Sequence, residues 1–177
     1  YPIIFGEGAI NAIDAKMVAD ATKVLIITND TINASCSDFV ASIQSKFSIE
    51  SKVMVLQDGE QYKFLTNVET IIDECIDFEM GRKDLIIAVG GGVIGDTVGF
   101  AASIYLRGVR FIQIPTSLLA QVDAAIGGKT GVNHTKGKNL IGTFYQPIAT
   151  LIDPTVLSSL SMADMRNGLA EIIKYGV

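Results

Sequence analysis

Apolar residues in this chain fall into short β-branched runs separated by stretches of helical spacing. The runs Val24–Thr28, Val53–Leu56, Leu85–Val89, Phe111–Ile114 and Ala149–Ile152 are bounded by Gly, Pro, Asn or Asp and read as buried strands. Between the first four lie segments of three- and four-residue periodicity. Ile32–Phe47 is one. Leu65–Phe78 is another, with Val68, Ile71, Ile72, Cys75 and Ile76 on one face. Alternation of strand and helix predicts right-handed crossovers and an α/β fold: an open, mostly parallel, Rossmann-like sheet flanked by helices. Its ligand crevice should lie beyond the carboxyl ends of the strands.

No repeat, low-complexity tract or linker interrupts this pattern before residue ~150. Beyond it the sequence changes character. Ser161 with Asp164 three residues on reads as a capping box, and the helical pattern then runs through Ala170, Glu171, Ile172, Ile173 and Lys174 to the end at Val177. The expected organisation is an α/β domain over residues 1–158, with 159–177 forming the first helix of a missing all-α C-terminal domain.

Composition narrows the classes. An apolar fraction of 49% and a mean hydropathy of +0.39 suit strands buried on both faces of a parallel sheet. The longest stretch free of Asp, Glu, Lys and Arg, Asn139–Ile152, is broken by Gly142, Gln146 and Pro147, so no membrane span is expected. No secretory or transit pattern opens the chain, and a cytoplasmic location is expected. Cys36 and Cys75 lack the neighbours of a metal knuckle or redox pair and read as ordinary thiols in helices. A net charge of −5 without a basic run argues against nucleic acid as a partner.

Gly90-Gly91-Gly92-Val93-Ile94-Gly95-Asp96 follows a predicted strand and precedes a helix-like segment, Thr97–Leu106. That context suits a phosphate-binding turn: glycine permits left-handed backbone and close approach of a pyrophosphate, and the following helix dipole favours the anion. The match to G-x-G-x-x-G is weak alone, since a glycine turn also serves close packing of helix on sheet. Two features depart from the usual dinucleotide case. The turn follows the third or fourth strand rather than the first, and the next strand closes with Gln113-Ile114-Pro115 rather than an acid for the ribose. Asn29 or Asp30, ending an earlier strand, is a candidate substitute.

Asp96, Arg107, Asp123, Lys129, Lys138 and Asn139 stand among apolar or glycine-rich neighbours, unlike ordinary surface charge. Gly127-Gly128-Lys129-Thr130-Gly131 and Gly137-Lys138-Asn139 read as two loops that bring lysines close to an anionic ligand. Together with Asp58-Gly59-Glu60-Gln61-Tyr62-Lys63, Pro115-Thr116-Ser117-Leu118-Leu119-Ala120-Gln121-Val122-Asp123 and Ala170-Glu171-Ile172-Ile173-Lys174-Tyr175-Gly176, these segments resemble, in order, the motifs of 3-dehydroquinate synthases.

The resemblance implies that Asp58, Gly59, Glu60, Gln61, Tyr62 and Lys63, the turn from Gly90 to Asp96, and Thr116 with Ser117 contact NAD. Ser117 stands where the family usually has a second threonine. Lys129, Lys138 and the segment Val156, Leu157, Ser158 and Ser159 are implied in the same role. Asp123, Lys129, Asn139 and Lys174 would face the substrate, with Asp123 and Asn139 also bordering the cofactor. Arg107 would reach the substrate's phosphate from the neighbouring subunit of a homodimer. Glu171 would be one of three ligands to zinc or cobalt, the other two being histidines further along the family's chain. His134 matches no ligand position and reads as a solvated loop residue.

The implied activity is that of a carbon–oxygen lyase of the shikimate pathway. It converts 3-deoxy-arabino-heptulosonate 7-phosphate to 3-dehydroquinate and phosphate, using NAD and a divalent metal. The alternatives are a sibling sugar-phosphate cyclase, a metal-dependent polyol dehydrogenase, and a non-catalytic NAD-binding module. These residues alone are expected to bind NAD weakly and not to turn over substrate.

Overall fold

Strand β4 (Leu85–Gly90) is buried at every position, as an unbroken apolar run demands when both faces of a sheet are covered. In the computed structural model, which describes residues 1–14 and 16–177, β4 lies inside a six-stranded parallel sheet. The other strands are β1 (Ile3–Phe5), β2 (Lys23–Asn29), β3 (Glu50–Leu56), β5 (Arg110–Pro115) and, after a hairpin of β6 (Lys129–His134) and β7 (Gly137–Phe144), β8 (Ala149–Ile152). The sheet order is β1-β8-β5-β4-β2-β3. All five runs expected as strands are strands, and the sixth, β1, pairs with β8 at the edge.

The helices are α1 (Asp30–Ser35), α2 (Ser37–Gln44), α3 (Leu65–Asp77), α4 (Gly92–Ile104) and α5 (Met162–Gly176). The chain moves from β2 outward to β3 through α1 and α2, then back past β2 to β4 through α3, and on to β5 through α4. Right-handed crossovers in opposite directions fall on opposite faces. Accordingly Val40 and Ile43 of α2 pack with Val24, Ile26, Leu85 and Ile87 on one side. On the other, Val68, Ile71 and Cys75 of α3 and Ile94, Val98 and Ala101 of α4 pack with Leu25, Ile27 and Ile86. Burial pushes the Cys75 thiol up to about 12, so it serves as an inert apolar group.

Three details differ from expectation. The helix expected over Ile32–Phe47 is two helices, broken at Cys36 (φ −132°) and ending at Gln44. α1 buries no residue, and Ser35 Oγ turns back to the Thr31 carbonyl, so little opposes a break among hydroxyl-bearing residues. Cys36 is therefore a junction residue rather than a helical one. Next, α4 begins at Gly92, not Thr97. The glycine-flanked lysine segments are strands of an antiparallel hairpin, not loops; glycine there permits close pairing, since a Cβ on Gly131 would lie 2.6 Å from the Ile141 carbonyl oxygen. The last helix, α5, packs on the α/β domain. Capped by Ser161 through the Asp164 N–H, it lays buried Gly168 against Leu118, where a Cβ would approach to 2.5 Å.

Candidate functional site

The carboxyl ends of β2 and β4 mark the point where the connections diverge, β2 leading to one edge and β4 toward the other, and such a point opens a crevice. Gly90, Gly91 and Gly92 lie there. None has a positive φ, so left-handed backbone is not why glycine is needed. Space is: a Cβ on Gly90 would lie 2.7 Å from that of Ile94, and one on Gly92 3.3 Å from that of Ala124. Gly91 caps α4 without a side chain, and no acid occupies the first turn. The N–H groups of that turn are consequently open to an anion. Val93 borders the cleft, whereas Ile94 is buried and offers backbone only.

Thr116 donates its N–H to the Gly90 carbonyl at 3.0 Å, setting the β5 end beside the turn. Its hydroxyl, with those of Thr28 and Thr97 and the Gln113 amide oxygen, is buried without a partner. Ser117 is half-buried, and its Oγ accepts from the Ala120 N–H at 3.3 Å.

At one flank Asn29 caps α1, accepting from the Ile32 N–H at 2.8 Å, and donates to Asp58 Oδ1 at 2.7 Å. Asn29 is buried and through these two bonds orients Asp58. Asp30 accepts from the Asp58 N–H and is exposed, as Asp58 is. Gly59, at φ 124°, turns the chain into a 3-10 turn over Glu60–Tyr62. Gln61 is exposed there and Tyr62 half-buried. At the other flank, Asp153 accepts from the Thr155 and Gly8 N–H groups at 3.0 and 2.7 Å, starting the 3-10 turn Pro154–Ser159. Burial would raise its carboxyl, but those bonds, with the Thr155 hydroxyl and the Ala9 N–H, outweigh it and hold it low. Within the turn Val156 is buried, Leu157 half-buried, and Ser158 and Ser159 exposed. Cys36 Sγ donates to Ser159 Oγ at 3.2 Å, spanning the sheet's carboxyl edge.

Beside the glycine turn opens a cleft of about 650 Å³ lined by Lys63, Asp96, Asp123, Lys129, Lys138 and Asn139, among others. Lys63 is buried and its Nζ donates to Asp96 Oδ2 at 2.5 Å and Asn139 Oδ1 at 2.7 Å. Burial pushes the Asp96 carboxyl up, and Lys63 pulls it part of the way back. Lys129 donates to Asp123 Oδ1 at 3.2 Å, as the Tyr175 hydroxyl does at 3.1 Å. That bond to Asp123 raises Tyr175. Asp123 itself lies in a single π-helical turn, Ala120–Ala124. Lys138 Nζ lies 3.5 Å from Glu60 Oε1. The lysines stand at opposite ends of the hairpin, Lys129 opposite Phe144 and Lys138 next to Gly137, roughly 13 Å apart along the strands.

One residue absent from the expectations ties this cleft together. Asn133 gives its N–H to the Lys63 carbonyl and its Nδ2 to Glu60, and accepts the Asn139 N–H. A lone asparagine beside Val132 carries no signal in sequence; only its burial marks it.

Other expected residues do not line the cleft. Arg107 is exposed, at φ 66° in the turn after α4. It is not among the residues that line the cleft, although the cleft-lining Thr143 donates to Ser103 in the last turn of α4 at 2.9 Å. On α5, Lys174 contacts Glu171, whose carboxylate holds the ammonium up. Among the described residues no three His, Cys, Asp or Glu side chains gather as a metal site. His134 is exposed and accepts from the Lys136 N–H. Among the described residues no helix is long and apolar enough to cross a membrane.

Residues 53–167 match the family model described as 3-dehydroquinate synthase N-terminal. The chain is 45% identical over 177 residues to 3-dehydroquinate synthase of Bordetella pertussis, covering 100% of this chain and 49% of that protein. It is 48% identical over 178 residues to that of Clostridium beijerinckii, covering 99% and 51%. It thus spans about half the length of the curated relatives it matches. Among solved structures, a 2-epi-5-epi-valiolone synthase from Streptomyces hygroscopicus with NAD+ and Zn2+ bound aligns with a TM-score of 0.87 at 34% identity, covering 98% of this chain and 48% of that one.

Proposed function

The chain belongs to the 3-dehydroquinate synthase N-terminal family, and from that membership we propose that it is the cofactor-binding half of a 3-dehydroquinate synthase. The reaction is conversion of 3-deoxy-arabino-heptulosonate 7-phosphate to 3-dehydroquinate and phosphate. The observation that carries this reading is the uncapped N-terminus of α4, set between glycines that leave no room for side chains and a cleft lined by Lys63, Lys129 and Lys138.

These groups fit NAD. Open N–H groups of the first α4 turn suit its pyrophosphate, the unpartnered Thr116 hydroxyl waits beside the turn, and Asp58 stands where a ribose hydroxyl can be received. When bound, the cofactor supplies reversible acceptance of a hydride. The chain's own residues orient and neutralise. Because Lys63 occupies the Asn139 oxygen, the Asn139 Nδ2 remains to donate toward a substrate oxygen. Asp123, held by Lys129 and Tyr175, accepts from a substrate hydroxyl. Lys129 and Lys174 stabilise negative charge that develops as phosphate leaves.

The residues present do not by themselves fit a metal centre, since Glu171 is a single carboxylate engaged by Lys174. Glu171 is one ligand of a zinc or cobalt site whose others lie outside these residues, and α5 opens a helical domain. Arg107 serves the cleft of a second copy in a homodimer.

Two assays test this. Calorimetry on the 177-residue chain should detect weak NAD binding without turnover. The full-length protein, given NAD and Zn2+ or Co2+, should release phosphate from the heptulosonate and yield 3-dehydroquinate. A different cyclic product would make it a sibling cyclase. Binding without phosphate release by the full-length protein would leave a nucleotide-binding module.

A further inference from the structure

Asn133 does not line the cleft, yet its bonds reach three residues that do. In the hairpin, Val132 pairs with Ile141 and His134 with Gly137, so Asn133 alone stands opposite Lys138, Asn139 and Leu140. The ladder bulges there, and a bulge re-aims the side chains it displaces. Asn139 adopts φ 54°, a left-handed conformation that asparagine tolerates at modest cost. Its N–H is taken at 2.8 Å by Asn133 Oδ1. With its backbone held, Asn139 reaches Lys63.

The other half of the amide acts on the opposite wall. Asn133 Nδ2 donates at 2.9 Å to Glu60 Oε1, the oxygen that Lys138 approaches. The Asn133 N–H meets the Lys63 carbonyl at 2.8 Å, fixing the segment that carries both Glu60 and Lys63. One neutral side chain thus sets the bulge on one strand against the loop after β3.

We propose that Asn133 is a positioning residue for ligand binding: its carbonyl holds Asn139 toward the substrate and its amide holds Glu60 toward the cofactor. This rests on the reading of the cleft as an NAD and sugar-phosphate site. The two halves of the amide can be separated. Asn133→Asp keeps the acceptor for Asn139 but sets a second carboxylate against Glu60. Once protonated, the introduced carboxyl becomes a donor and restores that bond. The charged groups around it are Glu60, paired with Lys138; Lys63, held by Asp96 and Asn139; and the neighbouring His134, bonded to the Lys136 N–H. Asn133→Leu removes donor and acceptor together at similar volume.

The test is NAD titration calorimetry and steady-state kinetics on the full-length protein at pH 8 and pH 5.5, with each variant expressed as a ratio to wild type. Losing a bond to a buried polar partner predicts roughly tenfold weaker NAD binding for Asn133→Asp at pH 8. That ratio should fall to within about threefold at pH 5.5, with the substrate KM near wild type throughout. Asn133→Leu should weaken NAD binding and raise the substrate KM, each roughly tenfold at both pH values. If Asn133→Leu does not fold, by circular dichroism, the Asn133→Asp ratios decide alone. Ratios that do not change with pH, or an Asn133→Leu protein with wild-type constants, overturn the inference. A wild type that binds no NAD overturns the reading of the cleft, and the inference with it.

Discussion

Lys63 Nζ lies 2.5 Å from Asp96 Oδ2, and this pair, buried at the lysine and half-buried at the carboxylate, joins the loop after β3 to the second turn of α4 in the wall of the cleft. Burial raises the Asp96 carboxyl and Lys63 opposes it, so each charge stabilises the other there.

Lys63→Met should therefore destabilise by about 2 kcal/mol at pH 7, the loss of a charge-assisted hydrogen bond to a half-buried carboxylate. Without its cation Asp96 rises further. A carboxyl raised in the folded state destabilises as pH rises through its folded value, and the burden disappears below the ordinary carboxylate value. The deficit of Lys63→Met against wild type should thus shrink from pH 7 toward pH 4. Urea unfolding at both pH values checks this. A deficit that holds constant would mean that the lysine acts through packing alone.

The glycine turn separates stability from binding. Gly92→Ala improves helix propensity by up to ~1 kcal/mol, and its Cβ would meet that of Ala124 at 3.3 Å, so thermal unfolding should change little. Its methyl faces the cleft, and NAD binding should weaken about tenfold, a loss of roughly 1.4 kcal/mol. Gly90→Ala should do the reverse kind of damage. Its Cβ would lie 2.7 Å from that of Ile94, an overpacking worth about 1–3 kcal/mol. Equal melting temperatures for the two variants would contradict this.

The central sheet was legible because β2, β4 and β5 must be apolar on both faces, which writes itself as unbroken β-branched runs. The hairpin was not. Gly131 and Gly142 sit opposite each other in its ladder, and glycine signals a loop when its partner strand is unknown. The same ambiguity misdirected the reason for Gly90 to Gly92, where close approach rather than left-handed backbone demands glycine. Asp96, Asp123, Lys129, Lys138 and Asn139 stood out as polar residues in apolar or glycine-rich settings, and the fold gathers them around one cleft. The burial of Lys63 and the three bonds of Asn133 depend on contacts between distant segments, which no local pattern encodes.

Asp84 is buried at the opposite end of the sheet, where it accepts from the Thr22, Lys23 and Gly81 N–H groups at 2.8, 2.9 and 2.6 Å and from the Thr22 hydroxyl at 3.2 Å. Burial would raise it, but these bonds together win and its carboxyl is held low. A depressed carboxylate contributes stability above its unfolded value of about 4 that is lost as pH falls through the folded one. Asp84→Asn keeps one acceptor and should cost about 2 kcal/mol at pH 7. Denaturant midpoints should show that difference narrowing below pH 4. A gap of the same size at pH 3 and pH 7 would show that geometry, not charge, is what the site requires.

Arg107 poses the sharpest question about assembly. It is exposed in a left-handed turn and does not line the cleft of its own chain. If it serves a second copy, Arg107→Ala and Lys129→Ala spoil different halves of a shared site. Each homodimer should be inactive. A mixed dimer, however, carries both defects at one cleft and neither at the other. Co-expressing the two variants should therefore restore about a quarter of wild-type activity, since random pairing makes half the dimers mixed and each has one intact cleft. Isolating the mixed dimer through two affinity tags should raise that to about half. Activity that stays at the level of the separate variants would place Arg107 in the service of its own chain.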